Sequence, residues 1–160
     1  MEPSITKHHR NLSSAIHIST FSKYLMPFGN FIIPLILWIS NKKESEFVDF
    51  NGKQALNFQI SILLYSMVAG AVIFGVALFT AWDVINFINI SDHNRHHIDL
   101  DLDFDFDDPF SMTRSIILIS IASILGLGLL ALDVVSTIIA TLRANEGLEY
   151  KYPLTIPFIK

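Results

Sequence analysis

Two long apolar runs, Phe58 to Trp82 and Ile116 to Leu142, hold no Lys or Arg and a single acidic residue, Asp133. Each is roughly 25 residues long, more than the ~20 a helix needs to cross a ~30 Å hydrocarbon core at about 1.5 Å per residue. A water-soluble domain has no use for two such helices, so the runs predict a polytopic membrane protein. Helices and closed barrels are the only backbones that satisfy their own hydrogen bonds in lipid. Uninterrupted apolar runs of this length select the helix.

Composition narrows the class further. At 160 residues the chain is long enough for one domain, and 51% of it is hydrophobic. It has no cysteine, which excludes disulfides and thiolate metal sites. The net charge of −4 averages over an uneven distribution, with acidic residues crowded into one loop and basic residues elsewhere. No basic patch suggests nucleic acid. The N-terminal stretch Met1 to Arg10 is basic, but the apolar segment after it is broken by Lys23, Pro27 and Gly29 and lacks an A-x-A cleavage site, so it reads as mature protein.

The expected fold class is all-α: a polytopic transmembrane helical bundle of four helices, with two long antiparallel spanning helices and an N-terminal pair of short ones. The expected divisions are a tail over 1–11, a broken helix or short helical hairpin over 12–40, and a cytoplasmic loop over 41–53. A transmembrane helix over 54–90, an acidic extracytoplasmic loop over 91–114, a second transmembrane helix over 115–146 and an interfacial tail over 147–160 complete the chain. The break in 12–40 is predicted at Met26 to Asn30, where Pro27 removes a donor, biases Met26 away from helix and is followed by Gly29-Asn30. One kinked spanning helix is the alternative.

Positive charge orients the chain, because cytoplasmic flanks are enriched in Lys and Arg. If 12–40 forms a hairpin or a re-entrant pair, Lys7, Arg10, Lys23, Lys42, Lys43, Lys53, Arg143, Lys151 and Lys160 share one side, against Arg95 and Arg114 on the other. A single crossing there would leave six against five and no orientation signal. The expected location is therefore the cell (inner) membrane, multi-pass, with both termini cytoplasmic.

Ser91 to Arg114 is the most unusual polar stretch. Ile98, Leu100, Leu102, Phe104 and Phe106 alternate with Asp99, Asp101, Asp103, Asp105 and Asp107. Period two is a strand pattern, yet Asp is a poor strand former and five like charges at ~6.6 Å spacing repel one another. A bound hard cation would offset the repulsion, and His93, His96 and His97 offer imidazoles to a transition metal. The plainer reading is a solvated acidic loop that dips its Leu and Phe side chains into the interface, since the stretch lacks the glycine and closing Glu of a calcium-binding loop. No metal or cofactor is expected elsewhere. His8 and His9 read as solvated tail, and His17 as a polar residue at the membrane surface.

Small and polar residues stripe both long helices: Gln59, Ser66, Gly70, Ala77 and Ala81 on the first, Ala122, Gly126, Asp133, Ser136 and Ala140 on the second. Such stripes let helix backbones approach, so the two faces are expected to pack together or against another subunit. Asp133 is the intramembrane carboxylate, expensive to insert at ~2.5–3.5 kcal/mol, and therefore needs a partner or a proton. Counting depth along the antiparallel helix brings it near Ser66, with Tyr65 as a second donor. It acts either as interhelical glue or as part of a proton or ion relay. No nucleophile with a positioned base is apparent, and no enzymatic activity is expected.

Two segments carry a resemblance. Glu44-Ser45-Glu46-Phe47-Val48-Asp49, then Asn51-Gly52-Lys53-Gln54-Ala55-Leu56-Asn57-Phe58-Gln59-Ile60-Ser61, leads into the first long helix, and Ala144-Asn145-Glu146-Gly147 is followed by Tyr152-Pro153-Leu154-Thr155-Ile156-Pro157-Phe158-Ile159-Lys160. With Pro27-Phe28-Gly29-Asn30 and Pro34-Leu35-Ile36, these resemble a family of small uncharacterised bacterial membrane proteins similar to the channel subunit of the chloroplast inner-envelope (Tic) import complex. Its motif residues here are Gly52, Lys53, Gln54, Ala55, Asn57, Gln59, Tyr152, Pro153 and Thr155. Pro157 stands where that family usually has Arg, and neither the acidic loop nor Asp133 belongs to its pattern. The resemblance implies a subunit of a channel or protein-translocation assembly, working as a homo-oligomer or with other membrane subunits. The alternatives are an accessory or scaffold subunit that stabilises a larger membrane complex, and a cation sensor acting through the acidic loop.

Overall fold

The computed structural model describes residues 5–92 and 109–160. Among them the protein is all-α, with four α-helices and no strand: α1 (Lys7–Ile18), α2 (Gly29–Asn41), α3 (Glu46–Asp92) and α4 (Pro109–Glu146). A 3₁₀ turn, Ser19–Tyr24, prolongs α1. Parts of α3 and α4, Glu46–Gly75 and Ile116–Glu146, are long and apolar enough to cross a membrane.

Local chemistry sets the boundaries. The Thr6 side chain accepts from the His9 amide at 3.2 Å, so α1 starts at Lys7 rather than at Leu12. Ser45 caps α3 by accepting from the Phe47 amide at 3.2 Å, and Glu46 and Asp49 lie in a first turn that favours anions. Helix therefore begins at Glu46 rather than Gln54 and takes in most of what reads as loop in the sequence. Pro109 occupies the first position of α4, where its missing amide loses nothing. Gly147, at φ 84°, closes α4 with the paired bonds Leu148 N to Arg143 O (2.9 Å) and Gly147 N to Ala144 O (3.1 Å).

Two compact units make up the described chain. The first contains α1, α2, α3 as far as Tyr65, α4 from Gly128 and the C-terminal tail. Within it, α1 and its 3₁₀ extension run antiparallel to the end of α4. Arg10 lies against Gly147, Ser14 donates to the Thr141 carbonyl, and Lys23 meets Asp133. In the same way α2 descends along the start of α3, with Asn30 bonded to Gln59 and Trp38 to Asp49. Four helical segments thus enclose one core of Ile16, Trp38, Val48, Ala55 and Leu56, and a neighbouring one of Phe58, Ala140 and Tyr152.

Gly52 shows how tight that packing is. A Cβ built on it would fall inside the Trp38 side chain, so the ring lies flush on the α3 backbone. Trp38 Nε1 donates to Asp49 at 2.9 Å, and Lys53 Nζ reaches the same carboxylate at 2.6 Å.

The second unit, Ser66–Leu127, contains the remainder of α3 and the beginning of α4. Here the expected packing of small-residue faces does not hold among the described residues. Ser66, Gly70, Ala77 and Gly126 are exposed, Ala122 is half-buried, and no described atom lies within 4 Å of a Cβ built on Gly70 or Gly126. Between helices in lipid there is no hydrophobic drive to close such a face. Among the described stripe residues, the enclosed ones are Gln59, Asp133, Ser136 and Ala140, all in the first unit.

Candidate functional site

Four elements converge on Asp133. Lys23, on the 3₁₀ turn, donates from Nζ to Asp133 Oδ2. Gln59 of α3 donates from Nε2 to Oδ1 at 2.9 Å, and Asn30 of α2 donates to Gln59 Oε1 at 2.8 Å. The carboxylate side chain is 5% exposed and the Lys23 side chain 22%. Both carboxylate oxygens are thus engaged, and the charge is neutralised where burial would otherwise penalise it.

This geometry corrects the reading of Asp133 from depth alone. Gln59 is a partner, but Ser66 is exposed, and the Tyr65 hydroxyl donates instead to the Leu154 carbonyl at 2.6 Å. Lys23 was not foreseen as the counter-ion, since charge counting assigns it to the cytoplasmic flank. The available signal was a lone basic residue in the mixed segment Ile16 to Met26, together with a lone carboxylate in a span.

A second polar cluster surrounds His17, which is fully buried rather than at the surface. Asn51 donates its amide to the Phe47 carbonyl at 2.8 Å, leaving Asn51 Oδ1 to accept from His17 Nε2 at 2.9 Å. Nδ1 is then the acceptor, and Tyr152 donates its hydroxyl to it at 2.9 Å. Burial pulls the His17 imidazole down to a pKa of about 4, opposed in part by the Asn51 hydrogen bond. It is a neutral, orienting group at physiological pH.

Tyr152, in the tail expected at the interface, is core. It is 5% exposed and stacks on Phe58 with centroids 4.1 Å apart. From there the tail runs along α3 instead of lying on the surface. Ile156 N donates to Ser61 Oγ (2.9 Å), while Asn57 both accepts from Ile159 N (2.8 Å) and donates to Ile159 O (3.0 Å).

These contacts give the conspicuous motif residues physical roles. Gly52 seats Trp38, Lys53 pairs with Asp49, Ala55 is buried in the core, Asn57 clasps the tail and Gln59 binds Asp133. Pro153 is exposed in a turn, while Gln54 and Thr155 are half-buried. Asp99, Asp101, Asp103, Asp105 and Asp107, the candidate cation ligands, lie outside the described residues, as do His93, His96 and His97.

Neither a curated protein nor a solved structure matches the chain. A family model does, over residues 8–159, and it is not that of an import channel. The resemblance to the chloroplast inner-envelope (Tic) family is overturned by that match, and the expectation of a channel or protein-transport subunit goes with it. Because the match takes in nearly the whole chain, the protein belongs to the magnetosome magnetite crystal formation family, MamF/MmsF.

Proposed function

We propose that this protein is a non-enzymatic, multi-pass accessory subunit that scaffolds the membrane assembly in which magnetite crystals form. The observation that carries this reading is the closure of the Asp133 cluster. A carboxylate with one oxygen bonded to Lys23 and the other to Gln59 holds α2, α3, α4 and the 3₁₀ turn together, which is a structural use of the group. Family membership supplies the process.

Topology follows the same lines. α1, the start of α3, the end of α4 and the tail belong to one unit, which supports both termini on one side of the membrane. With Lys23 removed from the flank count, eight basic residues still stand against Arg95 and Arg114. The basic side is assigned to the cytoplasm, and the Asp-rich stretch Asp99 to Asp107 then faces the opposite compartment.

The test is deletion of the gene in a magnetite-forming bacterium, complemented with the tagged chain and followed by electron microscopy and mild-detergent co-purification. The expected result is altered crystal size or number on deletion, recovery on complementation, and a stable membrane partner. Unaltered crystals, with a chain that purifies alone, would overturn the proposal.

A further inference from the structure

Two turns in the first unit are built alike. Each places a proline before a bulky apolar residue held at positive φ: Pro27 then Phe28 at φ 59°, and Pro153 then Leu154 at φ 56°. Such a conformation strains a residue with a side chain, and glycine is the usual choice there. Both bulky residues nevertheless point outward, Phe28 66% and Leu154 69% exposed. Beside Phe28, Tyr24, Leu25 and Met26 are also exposed, whereas the one charge in the turn, Lys23, is directed inward to Asp133.

Their level is set by what they bind. Gln59 lies about 20 Å along the span that starts at Glu46, and Asp133 about 20 Å back from Glu146, at ~1.5 Å per residue. Tyr65, which donates to the Leu154 carbonyl, lies about 28 Å along the same helix. The uncharged run Phe58–Trp82 and its partner Ile116–Leu142 carry the hydrocarbon, so a ~30 Å core centred on them begins near Ile60 on α3 and ends near Ile139 on α4. Gln59 then stands at the edge of the hydrocarbon, Asp133 about 9 Å inside it and Tyr65 about 8 Å, so both turns reach past the interface into the acyl layer.

Several backbone groups of the first turn are paired internally. The Leu25 and Met26 amides both bond to Ser22 O at 2.9 Å, the Gly29 amide bonds to Met26 O at 3.2 Å, and Pro27 has no amide to satisfy. In the second turn a spanning-helix hydroxyl, that of Tyr65, takes up the Leu154 carbonyl.

We infer that these turns are immersed in the bilayer. The α1–α2 hairpin and the C-terminal tail are re-entrant elements, entering and leaving on the side of the termini, with Leu25, Phe28 and Leu154 against acyl chains. Ile32, Leu35, Ile36 and Ile39, exposed on α2, continue that lipid-facing surface. The inference rests on α3 and α4 spanning the membrane.

The chain has no cysteine, so single-cysteine variants report one position each. Leu25→Cys and Leu154→Cys, with Lys43→Cys as an exposed control and Ile119→Cys as a lipid-facing control on α4, are reconstituted into phosphatidylcholine and phosphatidylglycerol vesicles and spin-labelled. Collision with oxygen is compared with collision with a water-soluble nickel chelate. The expected oxygen-to-nickel ratio at Leu25 and Leu154 is several-fold above that at Lys43 and close to that at Ile119, and an impermeant maleimide labels neither turn from either side. Nickel collision at the turns with Ile119 still in lipid would overturn the inference alone, while nickel collision at Ile119 would overturn the spanning reading as well. Labelling from the side opposite Lys43, or a label shielded from both reagents by a second chain, would also refute it.

Discussion

Replacing Lys23 by Met removes the counter-ion of Asp133 while keeping most of the side chain's apolar volume. The carboxylate, 5% exposed, would then keep only the Gln59 hydrogen bond. Removing one partner of a buried pair typically costs about 3–5 kcal/mol. Lys23 is 22% exposed, so the lower end applies, about 3 kcal/mol. That corresponds to roughly a 150-fold shift in the unfolding equilibrium. Asp133→Asn should cost less, about 1–2 kcal/mol, because the amide still bonds to Gln59 and the orphaned ammonium can extend toward water. The double variant should then be less destabilised than the sum by about 1–2 kcal/mol. The assay is reversible unfolding in mixed micelles, read by the fluorescence of buried Trp38 in a Trp82→Phe background. A coupling below about 0.5 kcal/mol would show that the two residues act independently and would refute the pairing.

Gly52→Ala should destabilise by about 2 kcal/mol and shift Trp38 emission, because the added methyl displaces the indole from the α3 backbone. Unchanged emission and stability would contradict the close approach. His17 has a folded pKa of about 4 against an ordinary 6.5, so the unfolded chain binds its proton first as pH falls. Stability is full above pH 6.5 and declines toward pH 4 by on the order of 3 kcal/mol, and His17→Gln should flatten that part of the profile. Tyr152→Phe leaves His17 Nδ1 without its donor and should cost about 2 kcal/mol, with Phe58 stacking retained. A cost no larger than that of Tyr150→Phe would argue against the buried triad.

The sequence made the spans legible because length and apolarity are local properties. Helical period also placed Gln59 and Asp133 on the small and polar stripes of their helices, but the depth count matched Asp133 to Ser66, seven residues beyond the Gln59 that binds it. The remaining contacts were hidden by separation along the chain. His17 lies 34 residues from Asn51 and 135 from Tyr152, and its environment is set wholly by those partners. Lys23 was misassigned for a related reason. Charge counting treats every Lys outside a span as a flank residue, whereas a re-entrant turn brings this one to the carboxylate. The tail pattern over 147–160 suggests an interface, but the Tyr152 ring fills the space between Phe58 and His17 because partners far away in sequence enclose it.

The Lys23–Asp133 pair also imposes an order on biogenesis. Lys23 leaves the ribosome 110 residues ahead of its partner. At ~5–20 residues per second, the ammonium waits roughly 5 to 20 s for a carboxylate to reach it. Until α4 enters the membrane, the hairpin tip has no neutralising charge, and its stable resting place is the headgroup layer beside the emerging α3. The first segment to be made is therefore among the last to settle, and insertion of the final helix is the event that draws it in.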